Sequence, residues 1–281
     1  MGGGHSSCCN TGRAEETLGK DFPSAHADQM SETTEGFAKR MAMHEPRAAK
    51  KVTEGGATYT GEWVGAHREG DGLLVWASGG KYRGQFVANK AEGYGIYETS
   101  QGDVYEGQWS DDMATGDGTF RGQDGKTYSG QWLKDKQHGK GTETWEDGVQ
   151  YAGEFQDGKK SGWGRFVWQD GSMYAGEFRD NSIHGNGAYL WCTGRKYNGQ
   201  WRNAKMHGRG EYAFADGRKY EGEYEDDQKS GHGTFTWPDG RTYEGQWKDG
   251  KMHGTGVLTG ADNTKKDGKW EGGQWLMWLD Q

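Results

Sequence analysis

Four histidines occupy one recurring sequence position, each directly before a Gly-x-Gly, and histidine is the commonest metal ligand in proteins. They are His138, His184, His207 and His253. A metal site needs ligands that converge on one ion. Residues at the same position of successive β-hairpins instead lie about 10 Å apart, two strand spacings. We therefore interpret the histidines as repeat-consensus residues and predict no metal site.

The Gly-x-Gly sequences are similar to fragments of phosphate-binding loops, but a dinucleotide motif must open a helix. Here every copy opens a predicted strand, as in Gly139-Lys140-Gly141. A second recurring position carries acidic or amide side chains that could supply a catalytic carboxylate. They are Glu62, Gln85, Gln108, Gln131, Glu154, Glu177, Gln200, Glu223 and Gln246. A catalytic pair would be unique, whereas these recur in every repeat, so we predict no enzymatic activity and no cofactor.

The chain has three cysteines, Cys8, Cys9 and Cys192, which form neither a disulfide framework nor a CxxC metal pair. Cys192 follows Trp191 in a predicted second strand, and we interpret it as a small packing residue. No apolar run reaches the roughly 18 residues that a transmembrane helix requires. The first ten residues lack the apolar core of a secretory signal, so an intracellular location is expected.

Composition excludes a conventional aliphatic core. Only 18 of the 281 residues are Ile, Leu or Val, whereas 52 are Gly, 14 Trp, 14 Tyr and 9 Phe. So few aliphatic residues are typical of disordered chains, but disordered chains are also poor in aromatic residues. Many rings together with many glycines favour short β-strands joined by tight turns.

A 23-residue period runs through most of the chain. Nine tyrosines keep this spacing, and each opens the pattern Tyr-x-Gly-Glu/Gln-aromatic. They are Tyr59, Tyr82, Tyr105, Tyr128, Tyr151, Tyr174, Tyr197, Tyr220 and Tyr243. Each is followed by a Gly-x-Gly, a second aromatic run such as Phe166-Val167-Trp168, and a turn that is most often Asp-Gly.

Both halves of the repeat alternate with period two, which indicates strands. Tyr128, Gly130 and Trp132 share one face, while Gln131 lies on the other. Asp-Gly between aromatic runs predicts a type I′ hairpin turn. The predicted fold is all-β: a single-layer, elongated, twisted antiparallel sheet of consecutive β-hairpins, with rings stacked from one repeat to the next and a largely disordered N-terminal segment before it.

These motifs resemble the MORN (membrane occupation and recognition nexus) repeat, with nine copies over residues 59–260. One departure is Tyr224, which replaces the usual Trp or Phe. After Val257-Leu258 the period breaks, and residues 261–281 are predicted to form a degenerate tenth repeat that caps the sheet. The resemblance implies a non-enzymatic repeat protein, because related arrays bind myosin tails and other cytoskeletal or ciliary proteins.

The N-terminus carries a lipidation pattern over residues 1–9. Met1-Gly2-Gly3-Gly4-His5-Ser6 fits the N-myristoylation motif on Gly2. Cys8 and Cys9 would add palmitate, and two or three acyl chains anchor a protein stably where one does not. This layout resembles the tandem-acylated N-termini of inner-membrane-complex and ciliary-membrane proteins. It predicts a lipid-anchored protein on the cytoplasmic face of the plasma membrane, a ciliary or flagellar membrane, or an inner membrane complex.

Residues 10–58 are predicted to form a flexible linker. Thr33 or Thr34 could cap a short helix over 34–45 that carries Phe37 and Met41 on one side. Two alternatives stay open for this helix: it is free, or it lies in the protein's own groove as an autoinhibitory segment.

The charge distribution argues against nucleic acid and against direct lipid binding. The net charge is −8, and residues 59–281 carry 27 Lys/Arg against 34 Asp/Glu. Phosphate binding requires a basic surface, and polybasic segments drive binding to anionic lipids. An acidic surface instead predicts a basic, apolar-studded partner segment, extended or helical.

A single-layer sheet leaves an aromatic groove exposed, and such patches are typical interaction sites. The leading hypothesis is a membrane-tethered scaffold whose groove binds a cytoskeletal, ciliary or membrane-skeleton protein. The candidate groove residues are Trp109, Trp132, Phe155, Phe178 and Trp201 of the first strands and Trp145, Trp168, Trp191 and Trp237 of the second strands. Two alternatives remain: a phospholipid-binding module, and assembly into homodimers or filaments through the open edge near Tyr59.

Overall fold

The structure is a computed structural model that describes residues 50–279. The lipidation residues Gly2, Cys8 and Cys9, the predicted helix over 34–45 and most of the predicted linker lie outside the described residues. The described part falls into two compact units, residues 50–159 and 160–279.

In the first unit, each strand pairs antiparallel with the one that precedes it in sequence. The strands are β1 (Lys50–Glu54), β2 (Ala57–Val64), β3 (His67–Val75), β4 (Lys81–Val87), β5 (Lys90–Glu98), β6 (Val104–Ser110), β7 (Met113–Arg121), β8 (Thr127–Leu133), β9 (Lys136–Thr144) and β10 (Gln150–Gln156). β1 lies in the region predicted as linker. Its backbone pairs with the edge of β2, and such pairing needs no sequence motif, so the repeat pattern does not reveal it.

The second unit continues the same pattern of antiparallel neighbours. Its strands are β11 (Lys159–Val167), β12 (Met173–Arg179), β13 (Ser182–Leu190), β14 (Lys196–Arg202), β15 (Lys205–Ala213), β16 (Lys219–Glu225), β17 (Gln228–Thr236), β18 (Thr242–Lys248), β19 (Lys251–Thr259), β20 (Lys265–Glu271) and β21 (Gln274–Trp278). The β20–β21 hairpin occupies the region of the degenerate tenth repeat. The predicted all-β fold of consecutive antiparallel hairpins is confirmed.

The turn chemistry differs from the prediction. Positive φ at two successive residues, which type I′ requires, occurs at the tight turn inside every repeat after the first, as at Asp111 (52°) and Asp112 (64°). In the Asp-Gly turns only the glycine has positive φ, as at Gly148 (83°). The Gly148 amide donates to the Trp145 carbonyl (3.0 Å), as in a type I turn followed by a left-handed residue. The type I′ assignment of Asp-Gly is therefore wrong.

Gly-x-Gly forms a β-bulge, and in six repeats a Glu or Gln side chain of the preceding strand accepts a hydrogen bond from the bulged amide. Gly139 has φ of 57°, a value that favours glycine, and the ladder shifts register opposite it. The amide of Lys140, freed from the ladder, donates to Gln131 Oε1 (3.0 Å). Asp117 and Gln108 repeat this contact at 2.9 Å. The Glu/Gln column thus supplies acceptors for bulged backbone amides.

The core of each unit is a row of tyrosines. All nine repeat-opening tyrosines are at most 6% exposed. Tyr128 meets Trp132 of its own repeat at 5.1 Å and Phe155 of the next repeat at 5.0 Å, both edge to face. Its hydroxyl donates to the carbonyl of Gln131 (2.8 Å). The predicted stacking from repeat to repeat is thus present, and ring–ring contacts replace an aliphatic core.

Glycines let these rings lie flat on the sheet. A Cβ at Gly107 would stand 2.5 Å from Gly118 Cα and 2.7 Å from the Tyr105 hydroxyl. No real Cβ tolerates such distances, so the first glycine of Tyr-x-Gly and the second of Gly-x-Gly are required for close packing.

Candidate functional site

The first unit contains an open groove on the face that carries the tyrosines, with a volume of about 840 Å³. We call this site the groove. Eight aromatic residues line it: Trp76, Tyr82, Phe86, Tyr97, Tyr105, Trp109, Phe120 and Trp132. Ala91 and Ala114 lie between them on β5 and β7. The site is therefore a concave aromatic surface with small residues at its base.

The two alanines explain why the groove lies here. They stand at one repeat position, 23 residues apart, where other repeats carry longer side chains. The residues at that position are Arg68, Ala91, Ala114, Gln137, Lys160, Ile183, Met206, Lys229 and Met252. Alanine cannot fill the space between the neighbouring rings, so the second and third repeats leave it open.

Acidic side chains border the alanines. Asp112 Oδ1 accepts a hydrogen bond from the Ala91 amide, and Asp135 Oδ1 accepts one from the Ala114 amide, both at 2.7 Å. Each bond joins the tight turn of one repeat to the second strand of the preceding repeat. One carboxylate therefore lies directly beside each small residue of the groove.

The basic residues of the groove are engaged in contacts of their own, apart from the exposed Lys136. Lys126 Nζ lies 2.6 Å from Glu143 Oε1, and Glu143 is 2% exposed. Arg68 donates to the Asn89 carbonyl (2.7 Å), and its guanidinium lies 5.3 Å from the Phe86 ring centre. Glu143 stands where other repeats carry Leu, Tyr or Phe, a substitution that the repeat alignment shows but that sequence analysis missed.

The predicted groove residues divide into two groups. Trp109 and Trp132 line the groove, and each donates its indole N–H to a glycine carbonyl of the preceding repeat at 3.1 Å. Phe155 (4% exposed), Phe178 (6%) and Trp201 (6%) are buried in the aromatic row instead. Their rings are part of the core and present little surface.

The second-strand tryptophans of the prediction lie one residue beyond their strands. Each opens the turn between repeats, and each is half-buried. They are Trp145, Trp168, Trp191 and Trp237. Trp191 packs on Tyr189 at 4.4 Å and Tyr212 at 5.4 Å. Their placement within strands is therefore wrong, because the aromatic run continues past the last ladder pair.

Cys192 also lies in a turn and not in a strand. Its amide donates to Ser172 Oγ (3.0 Å), and the residue is half-buried. His138 and His253 lie in second strands opposite the Glu/Gln column, paired with Gln131 and Gln246. Among residues 50–279, no three His, Cys, Asp or Glu side chains form a group that could hold a metal ion.

Lys229, in the second unit, is a further residue that was not among the predicted site residues. Its Nζ lies within 5.8 Å of the centres of four rings: Phe235 (4.7 Å), Trp247 (4.8 Å), Tyr220 (5.2 Å) and Phe214 (5.8 Å). Burial lowers the pKa of Lys229 to about 8, and the charge of Arg218 acts in the same direction. Lys229 stands at the repeat position that Ala91 and Ala114 occupy in the first unit. In its own repeat it fills the space between the rings that the alanines leave open in theirs.

The MORN repeat model matches nine segments, 59–81, 82–104, 105–127, 128–150, 151–173, 174–194, 197–217, 220–240 and 243–265. The chain therefore belongs to the MORN repeat family, and the predicted nine repeats, each beginning at its tyrosine, are confirmed. A comparison with curated proteins found no match. No helix within residues 50–279 is long and apolar enough to cross a bilayer.

Several solved structures are distantly similar to this chain. The TCP10 domain of Danio rerio CPAP, in complex with a peptide of STIL, is 10% identical with a TM-score of 0.46, over 83% of this chain and 100% of that chain. The Drosophila melanogaster SAS-4 TCP domain, in complex with a proline-rich motif of Ana2, is 10% identical with a TM-score of 0.32, over 73% and 96%. Virginiamycin B lyase from Staphylococcus aureus is 8% identical with a TM-score of 0.16, over 79% and 83%.

Proposed function

We propose that this MORN repeat protein is a non-enzymatic scaffold whose groove binds a segment of a partner protein. The observation that carries the proposal is the groove itself, where aromatic walls surround two alanines that other repeats replace by longer side chains. Exposed aromatic surface of this kind is typical of binding hot spots. The carboxylates of Asp112 and Asp135 favour a basic, apolar-studded segment, extended or helical.

We further propose that the scaffold is tethered to the cytoplasmic face of a membrane by myristate on Gly2 and palmitate on Cys8 and Cys9. The N-terminal sequence motif supports this proposal. A tether would concentrate a cytoskeletal, ciliary or membrane-skeleton partner at that surface. Plasma membrane, ciliary membrane and inner membrane complex are the candidate locations.

Affinity capture from the native cell tests partner binding. The groove variant is Ala91→Met/Ala114→Met, which introduces the residue that Met206 and Met252 supply at the same repeat position. We expect it to fold and to lose at least tenfold in captured partner, because methionine fills the groove. The control is Trp163→Ala, since Trp163 is 52% exposed and pairs with Glu177 of the Glu/Gln column. Equal capture by wild type and the methionine variant would contradict the proposal.

Membrane tethering is tested separately by fractionating cells that express Gly2→Ala or Cys8→Ser/Cys9→Ser. Both variants should lose membrane retention while keeping the partner in the soluble fraction. Full retention of Gly2→Ala would refute acylation as the anchor and favour direct phospholipid binding by the repeats.

A second candidate function is self-assembly. The predicted open edge near Tyr59 is not open, because β1 pairs with β2 and Val52 lies opposite Tyr59. The observation that favours assembly lies on β21 instead. β21 is an edge strand of the second unit that pairs only with β20 among the described residues. Its five residues are all exposed, and four of them are the apolar Trp275, Leu276, Met277 and Trp278. An exposed apolar edge can pair with a second copy of the chain.

A further inference from the structure

The surroundings of Lys229 show what kind of group fits between the rings of this fold. Its ammonium lies nearly equidistant from Phe235 and Trp247, at 4.7 and 4.8 Å from their centres. Tyr220 and Phe214 complete the site at 5.2 and 5.8 Å. Aromatic faces attract cations at such distances. We call these four rings the occupied cage.

The first unit contains the same four positions without the lysine. Six repeats of 23 residues earlier in the chain, Ala91 stands at the position equivalent to Lys229. The residues equivalent to Tyr220, Phe235, Trp247 and Phe214 are, in that order, Tyr82, Tyr97, Trp109 and Trp76. All five of these residues line the groove. We call these four rings the open cage.

Ring-to-ring distances in the two cages agree. Tyr82 and Trp109 stand 5.1 Å apart at 82°, against 5.1 Å at 80° for Tyr220 and Trp247. The Tyr97–Trp109 distance is 6.3 Å at 76°, against 6.2 Å at 41° for the equivalent pair in the occupied cage. The Trp76–Tyr97 distance is 5.6 Å at 82°, against 6.1 Å at 59°. The open cage therefore keeps nearly the same ring spacings although Ala91 replaces the lysine.

Charge distinguishes the two cages in favour of a visiting cation. Asp112 accepts from the Ala91 amide beside the open cage, whereas the equivalent residue beside the occupied cage is Gly250. Among the basic residues of the groove, Arg68 is the nearest in sequence to Ala91. Its guanidinium packs over the Phe86 ring and donates to the Asn89 carbonyl. A carboxylate next to an aromatic cage keeps a bound ammonium charged.

We propose that the open cage of Trp76, Tyr82, Tyr97 and Trp109 binds the ammonium group of a lysine side chain from the partner segment. The inference rests on the proposed function, because it assigns a side chain to the segment that the groove binds. Ala91 leaves room for the aliphatic stem, the rings contact the ammonium, and Asp112 supplies the opposite charge. Lys229 is the intramolecular counterpart of this ligand.

A small probe tests the cage without the partner. n-Butylammonium reproduces the end of a lysine side chain, and n-butanol is its neutral counterpart. The reporter is the Trp109 indole N–H resonance, assigned with Trp109→Phe, because this N–H donates to the Gly95 carbonyl next to the cage. In the full chain we expect saturable shifts with butylammonium and at least fivefold smaller shifts with butanol. Equal shifts would overturn the proposal.

Two reciprocal variants control for the position of binding. Ala91→Lys places the chain's own lysine in the open cage, and we expect at least a tenfold loss of the butylammonium shift at Trp109. Lys229→Ala empties the occupied cage, and we expect a new butylammonium shift at the Trp247 indole, which donates to the Gly233 carbonyl. If Trp109 still responds in Ala91→Lys, the cation binds elsewhere and the proposal fails.

Partner capture then separates this inference from the proposed function. We expect Ala91→Lys to lose the partner at least tenfold. If it loses butylammonium binding but captures the partner at the wild-type level, the groove function stands and the lysine assignment is wrong. A third variant is Lys39→Ala/Arg40→Ala. If butylammonium shifts the Trp109 resonance only in this variant and not in wild type, this chain's own N-terminal segment occupies the cage, which also overturns the assignment to a partner.

Discussion

The tyrosine that opens each repeat makes both a ring contact and a hydrogen bond. Burial raises the pKa of these tyrosines, to about 12 for Tyr59 and Tyr243, so the hydroxyls stay protonated donors at physiological pH. Tyr224 is the exception in the aromatic row. It is 5% exposed, and in the described part of the chain its hydroxyl has no hydrogen-bond partner. A tryptophan at the same position of the next repeat, Trp247, does have one.

This difference predicts opposite outcomes for two matched substitutions. Tyr128→Phe removes the 2.8 Å bond to the Gln131 carbonyl and should lower the free energy of unfolding by about 1 kcal/mol. Tyr224→Phe removes a hydroxyl that is buried without a partner, so stability should stay within about 0.5 kcal/mol of wild type or rise. Urea denaturation measures both, and a larger loss for Tyr224→Phe would be inconsistent with these contacts.

Lys229 predicts a pH dependence of stability. Between about pH 8 and 10.5 Lys229 is protonated in the unfolded state and neutral in the folded state. The free energy of unfolding therefore rises with pH across this window, and the contribution of Lys229 is lost as pH falls through 8. Lys229→Met removes that dependence. At pH 7 we expect Lys229→Met to have a free energy of unfolding about 1 kcal/mol higher than that of wild type. The gain is modest because Lys229 is only half-buried and its charge is partly screened by solvent. Urea midpoints at pH 7, 8, 9 and 9.5 check this, and parallel curves for the two proteins would contradict it.

At the scale of the strand pair, the tight turns join successive repeats. The Ala114 amide donates to Asp135 Oδ1 (2.7 Å), and the Asp135 amide donates to the Ala114 carbonyl (3.0 Å). Asn181 makes the same pair of bonds with Lys160 at 2.8 and 3.0 Å. Both residues have positive φ, which Asp and Asn tolerate better than most side chains. This turn therefore combines backbone conformation with inter-repeat bonding.

Asp135→Ala should cost about 2 kcal/mol, because it leaves the amide of the buried Ala114 without its acceptor and places alanine at positive φ. Asp135→Asn is the matched control. It keeps the oxygen that Asn89 and Asn181 use at the same turn, so a change below about 0.5 kcal/mol is expected. Hydrogen exchange of the Ala114 amide reports the local effect. Unchanged protection in Asp135→Ala would show that the side chain does not hold the turn.

At the scale of the whole molecule, repeats of one consensus differ in what they leave exposed. The groove lies in the first unit, where Ala91 and Ala114 replace longer residues. In the second unit, Lys229, Met206 and Met252 occupy that repeat position, while the apolar surface appears on β21 instead. A binding surface can thus be created by shortening one side chain per repeat, without a change of fold.

The β21 edge carries a prediction about association. Leu276→Lys/Met277→Lys places two charges on an edge strand and should raise the dissociation constant for self-association at least tenfold, because exposed lysines oppose edge-to-edge pairing. Trp163→Lys, at a similarly exposed aromatic residue, should leave it unchanged. Sedimentation velocity over a series of concentrations measures both. A wild-type chain that stays monomeric at every concentration would exclude assembly through this edge.

Several features follow from the amino-acid sequence without coordinates. The nine tyrosines at a spacing of 23 predict the strands, their faces and the stacking of rings, since a period of two puts Tyr128 and Trp132 on one side of the sheet. The errors lie at the ends of strands. Trp145 and Cys192 fall in turns, and the type I′ conformation belongs to Asp111-Asp112 and its equivalents. Alternation cannot show where the last ladder bond forms, because side chains continue to alternate beyond it.

What the sequence by itself determined is the repeat, and with it the family, the all-β class and the aromatic core, because each follows from local spacing that recurs nine times. Only the tertiary structure decided which rings remain accessible. Phe155, Phe178 and Trp201 are buried while Trp109 and Trp132 line a groove, and the difference depends on residues in neighbouring strands, such as Ala114 beside Trp132. The exposure of a ring depends on which side chains pack beside it, so the sequence motif around the ring does not predict it.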